Sequence, residues 1–332
     1  MKVKKIFLIA GGILVVILYF IIDFQSNLIY DKISCRLKWY HQSQFAGLYV
    51  AKEKGFFKKN NINCTLRPGG QEFNAVKLVI AGSDEFGISS ADQVIIARSK
   101  GIPVTAIAVV FKRSPVCFFS RENSDIKTPK DFINKKIAMQ YGTNVRTEYI
   151  AMMNKCDVNY KLVKEIPIRY DLLPFIRGNV DIWSGYTINE AITVREKGIN
   201  VNIIKPSDYG IEMYADCLIT SEKLIKEKPG LVYRFVQAFV EGWKFAIQHE
   251  EETVRFVLKQ DYRLSENHEK IMMNEVVKLI VPKSENLNRF GLMERDVWEK
   301  MYYELKVQKL VGNEKVIIDS IYTNKFLNSP KN

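Results

Sequence analysis

Between Leu37 and Leu258, short apolar runs of strand character alternate with stretches whose apolar residues recur at helical spacing. That order restricts the chain to an α/β architecture, a mostly parallel sheet covered by helices. The first unit reads as a strand at Leu37–Tyr40, a helix to Lys54, a strand at Asn63–Arg67, the turn Pro68-Gly69-Gly70 and a helix at Phe73–Ala81. The strand-turn-helix FGISSADQ and a long strand at Val104–Val110 complete it.

The pattern then restarts. Val116–Ser120 is extended, and Lys136–Gln140 is a strand followed by the turn Tyr141-Gly142-Thr143-Asn144 and a helix at Val145–Asn154. Ile166–Ile168, a helix at Asp171–Arg177 and a strand at Asp181–Ser184 follow, and the unit closes near Lys205-Pro206. Strand-like Cys217–Thr220 leads into three long amphipathic helices at Pro229–Leu258, Glu266–Ile280 and Met293–Leu310. A single insert between two parts of one lobe predicts two lobes joined by two crossing strands, with a cleft between them. The expected division is residues 35–118 for the first part of lobe 1, 119–205 for lobe 2, and 206–332 for the return to lobe 1.

Residues 1–25 are of another kind. Lys2, Lys4 and Lys5 precede an apolar run from Ile6 to Ile22, with no small-residue cleavage site and no adjacent cysteine. This pattern predicts an uncleaved signal anchor, with its lysines in the cytoplasm and the domain on the extracytoplasmic side. The net charge of +12 owes three units to those lysines, and the remaining basic residues are scattered over amphipathic helices. No basic stripe with interleaved aromatics points to nucleic acid. Five widely spaced cysteines without a CxxC, and three histidines in no ligand pattern with them, predict neither a metal site nor a full disulfide framework; one bridge remains open. Phosphate-loop, nucleophile-elbow, HExxH and dinucleotide signatures are missing as well, so no catalytic residue or cofactor is expected.

Two segments carry the chemistry. In LKWYHQSQFAGLYVAKEKG, a strand feeds a helix through a polar turn, which puts Trp39, His41, Gln42 and Gln44 at the carboxyl end of a strand, where open α/β sheets bind ligands. In GNVDIWSGYTINEAI, Tyr186, Asn189 and Glu190 follow a strand, and Tyr186 and Glu190 share a face if helical. An aromatic platform beside a carboxylate suits an amino-substituted heteroaromatic ring, which stacks on the one and donates to the other. The alternative is that Glu190 only caps its helix.

These blocks resemble the periplasmic binding proteins related to the thiamine-pyrimidine-precursor family, whose relatives include alkanesulfonate and riboflavin binders. FGISSADQ, Ser114-Pro115, the KPSDYGIEMYADCLITSE segment and VEGWKFAIQHEEE match further blocks in the same order, from about Leu37 to Leu258. The resemblance implies a type II periplasmic-binding-protein fold acting as the solute-binding component of an ABC importer, with permease and ATPase partners and an aminopyrimidine ligand. It implies Trp39 and Tyr186 as a stacking pair, Glu190 as acceptor, and Gln42, Ser90 and Asn189 as polar contacts. Tyr209, Tyr214 and Asp216 are expected at the hinge and cleft wall. Other readings within the resemblance are a riboflavin or sulfonate binder, a sensory domain for a signalling partner, and a thiamine-pyrimidine synthase. The eukaryotic synthases carry a CCCFC motif and a histidine six residues after the tryptophan; here that cluster is missing and the sixth residue after Trp39 is Phe45.

Overall fold

The computed structural model describes residues 30–280, 286–312 and 318–327; the expected anchor lies outside them. Among the described residues no helix is long and apolar enough to cross a membrane.

Two five-stranded sheets form the framework. The first has the order β2-β1-β3-β10-β4, from β1 (Asp31–Arg36), β2 (Ile62–Arg67), β3 (Phe86–Ser90), β4 (Val104–Val109) and β10 (Asp216–Ser221). The second has the order β7-β6-β8-β5-β9, from β5 (Val116–Arg121), β6 (Lys136–Met139), β7 (Lys164–Pro167), β8 (Ile182–Tyr186) and β9 (Val201–Ile204). Both sheets are mixed rather than mostly parallel. β10 is antiparallel to β3 and β4, and β5 is antiparallel to β8 and β9. These are the strands by which the chain enters each lobe from the other, so they run away from the cleft while β1, β3, β6 and β8 run towards it. The two crossings lie side by side, with Ala215 N donating to Phe111 O at 3.0 Å and Val110 N to Asp216 O at 2.7 Å. The expected division at 118/119 falls inside β5, because the first crossing is complete before Val116.

The strand expected at Leu37–Tyr40 is not formed; the first strand lies just before it, at Asp31–Arg36. Leu37 N still reaches Arg67 O at 2.8 Å, but the chain then peels off across the Pro68-Gly69-Gly70 turn. A Cβ on Gly69 would come within 2.1 Å of Leu37 O, so only glycine allows this crossing. Lys38 to Gln42 are thereby freed from the ladder, and Lys38, Trp39 and Gln42 face the cleft. The expected helix Pro229–Leu258 is two helices, Pro229–Gln248 and Glu250–Leu258, broken at His249. Glu250, Glu251 and Glu252 open the second one, where acidic residues favour a helix start.

The core of lobe 1 is built on α1 (Ala46–Glu53), which packs across the Pro229–Gln248 helix at closest range. A Cβ on Gly47 would lie 2.2 Å from the Trp243 ring, and one on Gly242 would lie 2.2 Å from Gly47 O. Phe86 of β3 stacks on Phe235 of the same helix with ring centroids 3.8 Å apart. All five cysteines are free thiols, four of them buried as small core residues.

Candidate functional site

A cavity of about 460 Å³ lies between the sheets, at the carboxyl ends of β1, β3, β6 and β8. Of the side chains expected there, Trp39, Gln42, Gln44, Ser90, Tyr186, Asn189 and Glu190 line it. Asp216 does not line it but lies behind two lining residues, Lys38 and Gln44, to which it is bonded. Tyr209 and Tyr214 are not brought to it. The Tyr214 hydroxyl accepts from Glu294 N at 3.0 Å, and its ring packs edge-on against Trp298. Tyr209 closes a short 3-10 turn, Pro206–Tyr209, and packs its ring into the core. The returning segment faces the cleft only at its end, where Asp216 starts β10.

Lys38 is the residue that sequence reasoning missed. Its ammonium donates to Asp216 Oδ1 at 2.8 Å, to the Tyr186 hydroxyl at 2.6 Å and to Asn144 Oδ1 at 3.4 Å. Tyr186 in turn donates to Asn144 at 2.9 Å, and Gln44 Nε2 donates to Asp216 Oδ2 at 2.6 Å. Gln42 Nε2 completes the chain by donating to Gln44 Oε1. Lys38, Gln44 and Asp216 belong to lobe 1, Tyr186 and Asn144 to lobe 2. Burial opposes the charge on Lys38, but the Asp216 carboxylate and the Tyr186 oxygen outweigh it and hold the ammonium above the usual lysine range. Burial pushes the Tyr186 phenol up, so it stays a neutral donor.

At the other end of Tyr186 sits Glu190, in the first turn of the helix Glu190–Glu196. The backbone N–H of Tyr186 donates to Glu190 Oε2 at 2.9 Å. Burial pushes the carboxyl up to about 6, and this amide pulls it part of the way back. A Cβ on Gly185 would fall 2.8 Å from Glu190 Cδ, so glycine makes room for the carboxylate. Glu190 therefore braces its own loop and lines the cavity as well. Of the described residues lining the cavity, Lys38 and Glu190 are the two that carry full charge.

Trp39 is held edge-on by Tyr170, with ring centroids 4.9 Å apart, and the Tyr170 hydroxyl accepts from Asn189 Nδ2 at 2.5 Å. Ser43 N donates to Glu269 Oε2 at 2.6 Å, so a distant helix caps the turn that carries Gln42 and Gln44. Ser90 precedes the helix Ala91–Ser99 without capping it through its side chain. Among the described residues no group of acidic, histidine or cysteine side chains is placed to hold a metal ion.

Residues 42–253 match the family described as NMT1/THI5 like. A formylaminopyrimidine-binding protein of Halalkalibacterium halodurans is 24% identical over 279 residues, covering 82% of this chain and 83% of that protein. A 4-amino-5-hydroxymethyl-2-methylpyrimidine phosphate synthase of Legionella pneumophila is 19% identical over 303 residues, covering 90% and 92%. Among solved structures, the periplasmic aliphatic sulphonate binding protein SsuA of Escherichia coli superposes with a TM-score of 0.68 at 16% identity, covering 87% of this chain and 91% of that one. The fold is thus the two-lobed α/β fold of periplasmic binding proteins, and the chain belongs to the NMT1/THI5-like family.

Proposed function

We propose that this chain is an extracytoplasmic solute-binding protein that closes its two lobes on a small heteroaromatic ligand, an aminopyrimidine, and hands it to an ABC importer. The observation that carries this reading is the pairing of aromatic faces with a buried carboxylate in one interlobe cavity: Trp39, Tyr186 and Glu190. A ring stacked on the aromatics buries its faces and turns its N–H groups to Glu190. The formylaminopyrimidine-binding relative supports the same ligand class.

A pyrimidine-forming enzyme is the second reading, favoured by the synthase name of one relative. The state of Lys38 weighs against it. The only lysine among the described lining residues is an ammonium paired with Asp216 and the Tyr186 hydroxyl rather than a free amine nucleophile. Isothermal titration calorimetry of the purified chain against an aminopyrimidine, riboflavin and an alkanesulfonate tests the proposal. Saturable binding of the aminopyrimidine in preference to the other two is expected. Tighter binding of either competitor would replace the ligand, and formation of a pyrimidine product by the chain would replace the function.

A further inference from the structure

The end of lobe 1 opposite the cleft gathers exposed lysines from several connections. β1, β2 and β3 start at this base, while β10, antiparallel to β3 and β4, ends there beside the start of β4. Lys32 lies on β1, and Lys58 in the short helix Phe56–Lys59 that leads into β2. Lys100 precedes β4, Lys223 and Lys226 belong to the helix Glu222–Glu227 that follows β10, and Lys228 precedes the helix Pro229–Gln248. All six are exposed.

The carboxylates nearby are engaged elsewhere. Asp31 Oδ2 accepts from Arg234 at 2.6 Å, Glu222 Oε1 from Arg98 at 2.6 Å, and Glu85 Oε2 from Ser34 N at 2.7 Å. Among the described residues none of the six lysines is in an ion pair, and Glu227 is the exposed acid that stands between them. The Pro229–Gln248 helix also begins at this base, so its amino end adds partial positive charge. Like charges held this close repel one another until an anionic surface covers them.

The described chain enters at the same face, where Asp31 N donates to Asn61 O at 3.0 Å. In the sequence, residues 23–29 separate Tyr30 from the apolar run Ile6–Ile22, the expected anchor, which lies outside the described residues. Those seven residues span about 25 Å at full extension, so an anchored chain keeps this base near the headgroups. We propose that the base of lobe 1 is a docking surface for anionic lipid headgroups. The lysines lie against the membrane and lobe 2 stands outermost. The position of the base rests on the expected anchor; its charge does not. Each lysine near such a surface adds about fivefold in affinity, and the attraction fades within a Debye length, so docking is reversible.

The test uses the full-length chain in nanodiscs of phosphatidylcholine alone, and of phosphatidylcholine and phosphatidylglycerol in equal parts. Brief acylation of lysines, read by peptide mass spectrometry, should label Lys58, Lys223, Lys226 and Lys228 severalfold less in the anionic discs. Lys130 and Lys161, exposed on lobe 2, should label equally in both. The variant K223Q/K226Q/K228Q alters no residue lining the cavity, so ligand binding should be unchanged while Lys58 loses its protection. Molar salt should remove the protection as well. Equal labelling of the base in the two discs, equal protection of both lobes, or protection of Lys58 unchanged in the variant overturns the docking surface. If the chain does not enter the neutral discs, the anchor expectation fails and cosedimentation with vesicles of the same two compositions decides. Binding to the anionic vesicles alone, about a hundredfold weaker in the variant, upholds the inference, and no binding overturns it.

Discussion

Lys38 and Tyr186 meet across the cleft at 2.6 Å, so one half-buried ammonium, anchored in lobe 1 by Asp216 at 2.8 Å, ties that lobe to a residue of lobe 2. Further interlobe contacts flank it. Thr147 Oγ1 donates to Asp92 at 3.0 Å, and His268 Nδ1 lies 2.8 Å from Glu196 on another side.

Lys38 and Asp216 should behave as one unit in stability measurements. The Asp216 side chain is 1% exposed, so Lys38→Met strands a buried carboxylate and should cost about 3–5 kcal/mol. K38M/D216N should lose clearly less than the sum of the two single variants. Urea unfolding of the four proteins measures the coupling, and simple additivity would mean that the pair is independent.

Glu190 should impose a pH dependence on ligand binding. Its carboxyl titrates at about 6, pushed there by burial, and only the ionised form accepts two N–H donors. Affinity for an aminopyrimidine should be steady above that value and fall by up to about tenfold per pH unit below it. Glu190→Gln should bind more weakly and lose this dependence. Calorimetry over a pH series checks it, and an unchanged slope in the variant would assign the titration elsewhere.

Gly47→Ala should destabilise the protein by about 1–3 kcal/mol through overpacking. The new methyl would lie 2.2 Å from the Trp243 ring, a buried side chain in a helix that cannot move without dragging the lobe 1 core. Gly242→Ala, which would meet the Gly47 carbonyl at 2.2 Å, should act in the same direction. Thermal melts read both, and an unchanged midpoint would show that the two helices can slide apart.

Glu148 should make the protein less stable in alkali. Burial raises its carboxyl from an ordinary 4.5 to about 8, although Ser114 and Asn144 both donate to Oε1; Oε2 has no partner. Between those values the folded chain holds a proton that the unfolded chain has lost, so stability falls as pH rises through the window. Glu148→Gln removes that penalty and should raise the melting temperature above the window while leaving it unchanged near the lower value. Equal shifts at both ends would mean that Glu148 does not titrate there.

Much of the framework is legible in the sequence because periodicity is a local record of burial. The alternation of strands and helices, the polar turn carrying Trp39, Gln42 and Gln44, and the place of Glu190 in the first turn of its helix all follow from residues within a few positions of one another. Strand ends were less legible. Leu37–Tyr40 reads as the first strand, yet that strand is Asp31–Arg36, and the close crossing over Gly69 turns the following residues out of the sheet. Strand direction was likewise hidden, since nothing in the composition of Cys217–Thr220 says that the chain arrives from the other lobe.

The sequence by itself determined the two-lobed α/β architecture and the aromatic and carboxylate pieces of the site. Tertiary structure alone decided what joins them. Lys38 reads as one more exposed base among 49 lysines and arginines, yet its partners lie 106, 148 and 178 residues away. Tyr209 and Tyr214 share a segment with Asp216, yet only Asp216 bonds to residues that line the cavity, because the chain comes up to the cleft just where β10 begins. Contacts at such separations depend on sheet order and on the closeness of two lobes, and a local pattern of polar and apolar residues carries no record of either.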